Sequence, residues 1–373
     1  MLLERLEGYY SYFSQRRAGW FILFSALFLI GLGVIVLASA SLSFIGREDY
    51  FLKQLLWCAV GIPFFLAGCL VDLAFLKKHC TLLLTFFVLA LIAVLVPGVG
   101  KLVNGSRRWI YLGGFNVQVS EFAKIATIIW LARYLEQNAS LMGEFRRGFF
   151  IPLFVAGSIC ALILLEPDYG TAMLMGVVAA TLLFLAGSRL SHLAAAVTVA
   201  VVGISILIYL NPTRMRRIVA FLDVENNKLE GAYQLWQGML GFVSGGLFGR
   251  GIGQGRQQLV YLPEAHTDFI FPIFSEEFGS VAAICVLLVY VLLFLISVQC
   301  ARKLSDDFSK FLSYGISLTI ACQVLINVGV VAGLLPTKGM VLPFISYGGS
   351  NLVLVFFMIG LLLNCFSSAE RGE

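Results

Sequence analysis

Three titratable side chains lie within five residues in the segment LPEAHTDFIF, 262–271, directly before a long apolar stretch. The chain has only three histidines, and 13% of its residues are charged, so this concentration is unusual. Glu264, His266 and Asp268 could act as general acids or bases, because a positioned carboxylate or imidazole can exchange a proton with a reacting group. The simpler alternative is that Thr267 and Asp268 cap the following helix, where a carboxylate stabilises the helix dipole.

A second polar segment, NGSRRWIYLGGFNVQVSEFAK at 104–124, leads into another apolar stretch. Glu121 and Lys124 are three residues apart, so on a helix they share one face and can form an ion pair. Arg108 and Trp109 precede them, and both residue types are common at membrane interfaces. Ionisable groups inside a membrane cost at least ~2.5 kcal/mol each and often mark functional sites. A functional role and a structural role therefore both stay open for these four residues.

The segment LEPDYGTAML at 165–174 places two carboxylates in a tight turn between apolar stretches. Asp168 is well placed to cap the helix that Gly170 and Thr171 begin, and we favour this structural interpretation. Glu166 has no such simple explanation, which makes it a candidate for function.

The segment PTKGMVLPFISYGGS at 336–350 combines one lysine with several small residues. Lys338 and backbone N–H groups near Ser346 could bind a pyrophosphate, because cations and exposed N–H groups favour anionic oxygens. For Gly348 and Gly349 we favour close packing between helices, which small residues permit.

The elements that must position these side chains are long apolar helices. The 373 residues are 60% hydrophobic with a mean hydropathy of +0.92, whereas soluble domains are roughly 45–50% apolar. Apolar stretches of about 20 residues, each able to cross a hydrocarbon core of about 30 Å, recur along the chain. They predict an all-α integral membrane protein, a single polytopic domain over 1–373, with about ten transmembrane helices. The predicted spans are 19–45, 54–74, 80–97, 117–136, 149–166, 170–187, 190–210, 269–299, 309–335 and 344–366.

Basic residues in the short loops predict the orientation, since cytoplasmic loops are enriched in Lys and Arg. With the N-terminus inside, the cytoplasmic segments hold thirteen: Arg5, Arg16, Arg17, Lys77, Lys78, Arg133, Arg146, Arg147, Arg189, Arg302, Lys303, Lys310 and Arg371. The short outer loops hold six: Arg47, Lys53, Lys101, Arg107, Arg108 and Lys338. This distribution predicts that both termini are cytoplasmic and that the one long loop, 211–268, is extracytoplasmic. Its glycine-rich, apolar part at 238–255 predicts half-buried or re-entrant structure.

Composition and motifs also exclude several function classes. The eight cysteines form no CxxC pair and lie mostly in apolar stretches, which indicates packing rather than disulfide or metal chemistry. No basic run with interleaved aromatic residues suggests a nucleic-acid surface, and the glycines of 238–255 lack the spacing of a dinucleotide-binding loop. Any chemistry would use acids and bases near the outer surface, on an amphiphilic substrate.

Six blocks of the sequence resemble the SEDS family (shape, elongation, division and sporulation), and within it the FtsW branch more than the related RodA branch. They follow the family's order from about residue 104 to the end of the chain. Two positions depart from the family pattern: Val119 stands where proline is common, and Asn351 where a second serine is common. The blocks are SRRWIYLGGFNVQVSEFAK, LEPDYGTA, RMRRIVAFLD, YQLWQGMLGFVSGGLFGRGIGQG, YLPEAHTDFIFPIFSEEFG and LLPTKGMVLPFISYGGSNL.

The resemblance implies a ten-helix glycosyltransferase of the bacterial cytoplasmic (inner) membrane, which polymerises lipid II into peptidoglycan strands at the division septum. It also implies partners: a class B penicillin-binding protein, which supplies the transpeptidase, and other divisome proteins. Carried over by position, Asp268 is the family's essential acidic residue, whereas for Glu264 and His266 we expect structural roles.

In the implied reaction a sugar 4-hydroxyl attacks an anomeric carbon, and a lipid pyrophosphate leaves. A base must take the hydroxyl proton, and we expect Asp268 to be that base. The expected substrate-binding residues are Arg108, Trp109, Lys124, Arg217, Lys338 and Ser346. We expect no cluster of metal ligands, although a divalent cation, Mg²⁺ or Mn²⁺, could assist at the pyrophosphate.

Two other functions stay open at this point. A lipid II flippase would need polar groups that continue through the membrane, and Glu121, Lys124, Glu166, Glu276 and Glu277 offer some. The densest polar cluster lies on the outer side, however, and this distribution favours the enzyme. A non-catalytic division scaffold, which only recruits and activates its partner, is the other alternative.

Overall fold

The computed structural model describes residues 2–43, 50–103, 106–113, 115–255 and 266–371. This part of the chain forms twelve α-helices and three short strands. The helices are α1 Leu2–Ser43, α2 Tyr50–Leu70, α3 Leu73–Leu95, α4 Val119–Gln137, α5 Ile151–Leu165, α6 Tyr169–Leu185, α7 Leu190–Tyr209, α8 Pro212–Leu222, α9 Tyr233–Gly245, α10 Ile270–Ala301, α11 Asp307–Val331 and α12 Gly349–Arg371. The strands are β1 Gly100–Val103, β2 Ser106–Leu112 and β3 Phe115–Gln118.

Ten of these helices coincide with the ten predicted spans, and α8 and α9 lie in the predicted long loop. Within the described residues, eight segments are long and apolar enough to cross a membrane, in α1, α2, α3, α5, α7, α10, α11 and α12. Helix α6 is apolar but has only 17 residues. Helix α4 is more polar and packs against α3, α5, α6, α11 and α12. The predicted all-α membrane fold is therefore confirmed.

Hydrogen bonds between distant segments show which helix ends meet at one face of the bundle. The backbone N–H of Gln118, before α4, donates to Ser350 Oγ in the first turn of α12 (3.0 Å). The backbone N–H of Tyr347 donates to the carbonyl of His266, before α10 (2.9 Å). We call this face the Asp268 end. Its predicted position outside the cytoplasm rests on the distribution of basic residues and stays a prediction.

A three-stranded antiparallel sheet in the order β1-β2-β3 connects α3 to α4. Trp109 of β2 pairs with Lys101 on one side and Gln118 on the other. The sequence interpretation treated this segment as a plain outer loop, because strands of four to seven residues give a weak signal beside long apolar stretches. The sheet is thus an addition to the predicted helical architecture.

The glycine-rich segment 238–255 packs on α10 where that helix is broken. Gly279 has φ +86° and interrupts the helix, and the following Ser280 N–H donates to the carbonyl of Gly246 (2.9 Å). A Cβ at Gly279 would lie 2.3 Å from the carbonyl oxygen of Leu247, so only glycine allows this approach. The part of the segment within α9 is half-buried as predicted, whereas most residues from 246 to 254 are exposed. Re-entry into the membrane stays a prediction.

Two carboxylates of α10 hold the same segment in place. Both side chains face the interior, since Glu276 is 0% exposed and Glu277 is 2% exposed. Glu277 Oε1 accepts hydrogen bonds from Ser39 Oγ of α1 (2.5 Å) and from Gly253 N–H (2.9 Å). Glu276 Oε1 accepts from Ser244 Oγ (2.8 Å). These bonds link α1, the loop after α9 and the first part of α10.

Small residues allow α2 and α12 to pack closely. A Cβ at Gly68 would lie 2.5 Å from the Phe357 carbonyl, and one at Gly349 would lie 2.0 Å from the Trp57 ring. The favoured sequence interpretation of the glycines at the start of α12, close helix packing, agrees with this arrangement.

Candidate active site

Asp268 lies in the turn that precedes α10 and is 8% exposed. Its Oδ1 accepts a hydrogen bond from Thr267 Oγ1 (2.9 Å). The Asn327 amide donates to the Asp268 carbonyl (2.9 Å) and to the Met340 carbonyl (2.6 Å), which joins this turn to the segment after α11. Gly339 lies directly beside the carboxylate, since a Cβ there would be 3.5 Å from Oδ2. Asp268 is thus a partly enclosed carboxylate on a fixed backbone.

The capping position of α10 is Phe269 rather than Thr267 or Asp268, and the Phe269 side chain forms no capping hydrogen bond. His266, two residues before Asp268, stacks on the ring of Tyr50 at 3.8 Å and lies 5.8 Å from the ring of Tyr347. This packing agrees with the structural role expected for His266. Glu264 lies outside the described residues.

Two cations meet at the ring of Tyr169, the first residue of α6. Arg214 of α8 lies with Cζ 4.0 Å from the ring centroid, and its Nη1 donates to the Tyr169 hydroxyl. Lys338 Nζ lies 5.5 Å from the same centroid. The face of an aromatic ring carries partial negative charge and attracts cations. Tyr169 therefore helps to hold two like charges close together.

A third cation, Arg108 of β2, is fixed beside this pair. Its Nε donates to the Glu166 carbonyl (2.7 Å) and its Nη2 to the Pro167 carbonyl (2.8 Å). These bonds attach the sheet to the turn between α5 and α6. We call Arg108, Arg214 and Lys338 the cation cluster.

The cation cluster changes the proton affinity of its own lysine. Burial lowers the pKa of Lys338 to about 8, with a smaller contribution from the neighbouring Arg108 and Arg214 and partial opposition from the negative charge of Asp168. An anion bound at the cluster would favour the charged form of the lysine. The cluster therefore suits an anionic group such as a pyrophosphate.

Asp168 has the capping role that its sequence position predicts. Its carboxylate accepts hydrogen bonds from Thr171 N–H (3.2 Å) and Thr171 Oγ1 (2.8 Å), and Oδ2 also accepts from Gln118 Nε2 (3.2 Å). The same carboxylate adds a negative charge beside the cation cluster, as its effect on Lys338 shows.

Glu166 is fully buried, and neither carboxylate oxygen has a hydrogen-bond partner among the described residues. Burial, together with the charge of Asp168 and partly opposed by Arg108, raises the pKa of Glu166 to about 8. The side chain is therefore protonated at neutral pH, because an unpaired buried carboxylate is costly in its charged form. The sequence offered no simple structural role for Glu166, and the structure agrees, because its carboxyl group is buried without a hydrogen-bond partner among the described residues.

Glu121 and Lys124 form the ion pair that their spacing predicts, with Lys124 Nζ 2.9 Å from Glu121 Oε2. Both side chains are buried, at 8% and 2% exposure, and Asn351 donates to the same Oε2 (2.7 Å). A role for Lys124 in binding substrate stays a prediction, since in this structure its ammonium group pairs with a carboxylate of its own helix.

The other predicted contacts occupy three different environments. Ser346 is buried, and its Oγ accepts a hydrogen bond from the Leu342 N–H (2.8 Å), so it stabilises its own turn. Trp109 is half-buried on the sheet. Arg217 is exposed and lines an open cleft of about 820 Å³. Substrate binding by these three residues stays a prediction.

Sequence reasoning did not select Arg214, Tyr169 or Asn327. Arg214 opens the RMRR run and Tyr169 follows the EPD turn, so both lie in segments that were already of interest. Only the folded chain brings them together, because 45 residues separate them.

Among the described residues, no group of three or more His, Cys, Asp and Glu side chains could hold a metal ion. The carboxylates at this end also have other partners, as the hydrogen bonds of Asp168 and Asp268 show. Assistance by Mg²⁺ or Mn²⁺ stays a prediction, and no chemical step is assigned to it.

The sequence matches a family of known proteins over almost its whole length. The model of a family described as cell cycle protein, FtsW/RodA/SpoVE, matches residues 19–371. A relative from Coxiella burnetii, called probable peptidoglycan glycosyltransferase FtsW, is 39% identical over 358 residues, 94% of this chain and 96% of the relative. Stage V sporulation protein E of Bacillus subtilis is 38% identical over 345 residues, 91% of this chain and 94% of the relative.

Solved structures share the fold as well. RodA of Thermus thermophilus has a TM-score of 0.72 at 25% identity, over 94% of this chain and 96% of RodA. A chain from a structure described as "Structural coordination of polymerization and crosslinking by a peptidoglycan synthase complex" has a TM-score of 0.78 at 25% identity, over 94% and 98% of the two chains. The chain belongs to the FtsW/RodA/SpoVE family of cell cycle proteins.

Proposed function

We propose that this protein is a peptidoglycan glycosyltransferase, which polymerises lipid II into glycan strands with Asp268 as the general base. The observation that carries the proposal is the position of one carboxylate beside a fixed group of cations. Asp268 lies against Gly339, and the adjacent residue Lys338 belongs to the cation cluster. The peptidoglycan glycosyltransferase names of the relatives support the same reaction.

The chemistry of this reaction needs both parts of the site. The attacking 4-hydroxyl must lose a proton, and Asp268 is the acceptor in our proposal. Negative charge develops on the pyrophosphate as its bond to the anomeric carbon breaks. Cations that are already in place stabilise that charge without reorganising, and Arg108, Arg214 and Lys338 are held by backbone carbonyls and an aromatic ring.

A partner and a location belong to the same proposal. We infer a class B penicillin-binding protein as the cognate transpeptidase, other divisome proteins as neighbours, and the septum of the cytoplasmic membrane as the place of action. A solved structure whose description combines polymerization with crosslinking supports a synthase of this type. We also infer that both termini are cytoplasmic and that the Asp268 end faces outward, where the headgroup of lipid II would be presented.

Replacing the carboxylate tests the assignment of the base. The full chain, purified with its class B penicillin-binding protein, should convert lipid II into glycan strands. Asp268→Asn, which keeps the side-chain volume, should lower the rate by about 10²–10⁴-fold, because general base catalysis contributes roughly that amount. Gel separation of labelled glycan products measures the rate, and the melting temperature of each variant checks that it folds.

The same preparation separates the enzyme from its alternatives. Normal polymerisation by Asp268→Asn would refute the role of Asp268 as base. Headgroup translocation in liposomes without any glycan product from the wild type would indicate a flippase. A variant without polymerase activity that still supported cell division would indicate a scaffold. Chelation of divalent cations in the assay tests the predicted assistance by Mg²⁺ or Mn²⁺.

A further inference from the structure

A small polar pocket lies at the end of α4 that is opposite to the Asp268 end. It lies between the start of α3 and the last turns of α4 and has a volume of about 160 Å³. Arg133 in the pocket is 15 residues from Gln118 at the Asp268 end, which is about 22 Å of helix. The two ends therefore lie near opposite surfaces of a hydrocarbon core of about 30 Å. We call this site the α3–α4 pocket, and its lining residues are Lys77, Lys78, Cys80, Thr81, Trp130, Arg133, Tyr134 and Gln137.

Three of the lining residues are basic and none is acidic. The charge of Lys77 is already balanced, because its Nζ pairs with Glu136 and lies 3.8 Å from Asp306 Oδ1. Lys78 and Arg133 form no ion pair with any of the described residues. The pocket thus has two positive charges that the described part of the chain does not compensate, and these favour an anionic ligand.

The size of the pocket limits which anion can enter it. Sites for sugars and other drug-sized molecules have volumes of about 300–1,000 Å³, so the α3–α4 pocket is too small for a disaccharide. Its volume equals that of about five water molecules in the liquid, which is enough for one phosphate group. Thr81 and Gln137 add neutral hydrogen-bond donors for phosphate oxygens.

The pocket opens beside side chains that face the hydrocarbon. On α3, Lys78, Leu82 and Phe86 are spaced by four residues and share one face. Leu82 is 68% exposed and Phe86 is 61% exposed, on a helix that is long and apolar enough to cross a membrane. Trp130 and Tyr134 of α4 stack with their centroids 5.1 Å apart, and such rings are enriched at membrane interfaces. A ligand with an anionic head and an apolar tail matches both parts of this surface.

We propose that the α3–α4 pocket binds the phosphate group of an anionic phospholipid, whose acyl chains lie along the face of α3 that carries Leu82 and Phe86. Basic pockets between transmembrane helices on the cytoplasmic side bind lipid headgroups in this way. With the orientation proposed above, the lipid belongs to the cytoplasmic leaflet. The site is separate from the Asp268 end, and the inference does not depend on the proposed glycosyltransferase function.

Binding of defined lipids tests the site. The purified full chain in detergent micelles is titrated with dioleoyl phosphatidylglycerol, and native mass spectrometry measures the fraction of protein that retains the lipid and so the apparent Kd. The melting temperature should rise with the concentration of this lipid, because a ligand that binds the folded state stabilises it.

Two further probes identify the part of the lipid that is recognised. Dioleoyl phosphatidylcholine has the same chains but a headgroup without net charge, and it should bind about fivefold more weakly or worse. Glycerol phosphate has the anionic group without acyl chains, and at the same concentration it should leave the melting temperature unchanged.

We expect Lys78→Gln/Arg133→Gln to raise the apparent Kd for phosphatidylglycerol about tenfold or more, since each basic residue near a membrane surface contributes roughly a factor of five. The matched control is Arg302→Gln/Lys303→Gln, which removes two exposed basic residues directly after α10, on the same predicted side of the membrane but outside the pocket. The Kd of this control should stay within about twofold of the wild-type value. Lys78→Arg keeps the charge and should bind as the wild type does.

The outcomes separate a defined site from general attraction to the surface. An equal rise in Kd for the pocket variant and the control would overturn the site. Equal binding of phosphatidylcholine, or equal stabilisation by glycerol phosphate, would overturn the assignment to an anionic phospholipid. If the double variant does not fold, Lys78→Gln alone decides, because Lys78 is exposed and its replacement leaves the core intact: a rise of about fivefold supports the site, and an unchanged Kd overturns it. These measurements do not require polymerisation of lipid II, so a failure of the proposed function would leave them unaffected.

Discussion

At the scale of single residues, Lys338 makes the site sensitive to pH. Its pKa of about 8 means that the ammonium group is mostly charged at pH 7 and mostly neutral at pH 9. If Lys338 binds pyrophosphate, the apparent KM for lipid II should rise by about tenfold between these pH values, since the charged fraction falls by about that factor. Initial polymerisation rates at several lipid II concentrations and pH values measure the change.

Two variants separate Lys338 from its neighbours in this experiment. Lys338→Arg keeps its charge throughout the range and should flatten the pH dependence. Glu166, with a pKa of about 8, gains a negative charge as the pH rises and should also weaken anion binding. Glu166→Gln should therefore remove part of the slope. An unchanged slope in Lys338→Arg would show that Lys338 does not bind the substrate.

At the scale of elements, the break in α10 at Gly279 is the place where the glycine-rich loop packs against the helix that follows Asp268. Gly279→Ala should destabilise the protein by more than about 1 kcal/mol, because alanine is strained at φ +86° and its Cβ would meet the Leu247 carbonyl. We expect a lower melting temperature and a lower polymerisation rate, since the loop then no longer fits against α10.

The control for this prediction is Gly203→Ala in α7. No atom lies within 4 Å of a Cβ at Gly203, and alanine is favoured over glycine inside a helix by roughly 0.5–1 kcal/mol. This variant should keep or slightly raise the melting temperature. Equal changes in melting temperature for the two substitutions would mean that the close packing at Gly279 does not stabilise the fold.

At the scale of the whole molecule, the buried pair of Glu121 and Lys124 lies on the helix that five others surround. Lys124→Met leaves an unpaired buried carboxylate and should cost roughly 3–5 kcal/mol, whereas Lys124→Met/Glu121→Gln should recover much of that stability. Lys310→Met is the control, because Lys310 and Asp307 have the same spacing but are only half-buried, at 32% and 47% exposure, so the loss should stay below about 1 kcal/mol.

This pair of variants also decides between the two predicted roles of Lys124. A structural role predicts that the double variant regains polymerase activity together with stability. A role in binding substrate predicts a stable double variant whose KM for lipid II stays high. Thermal unfolding and lipid II kinetics on the same preparations measure both properties.

The sequence alone was enough to predict the spans and several local interactions. The ten apolar stretches could be found because the thickness of a bilayer sets the length of a helix that crosses it. The cap formed by Asp168 and the pair formed by Glu121 and Lys124 could be predicted because helical geometry fixes what lies three residues away. These are local properties, and a short window of sequence contains them.

The tertiary structure alone decided the composition of the site. Arg214 and Tyr169 meet across 45 residues, and Arg108 reaches the carbonyl of Glu166 across 58. No periodicity encodes such contacts, because they depend on how whole helices pack and where a small sheet lies on them. For the same reason the sequence drew attention to the carboxylate of Asp268, and only the folded chain placed Gly339 beside it and Lys338 at the ring of Tyr169.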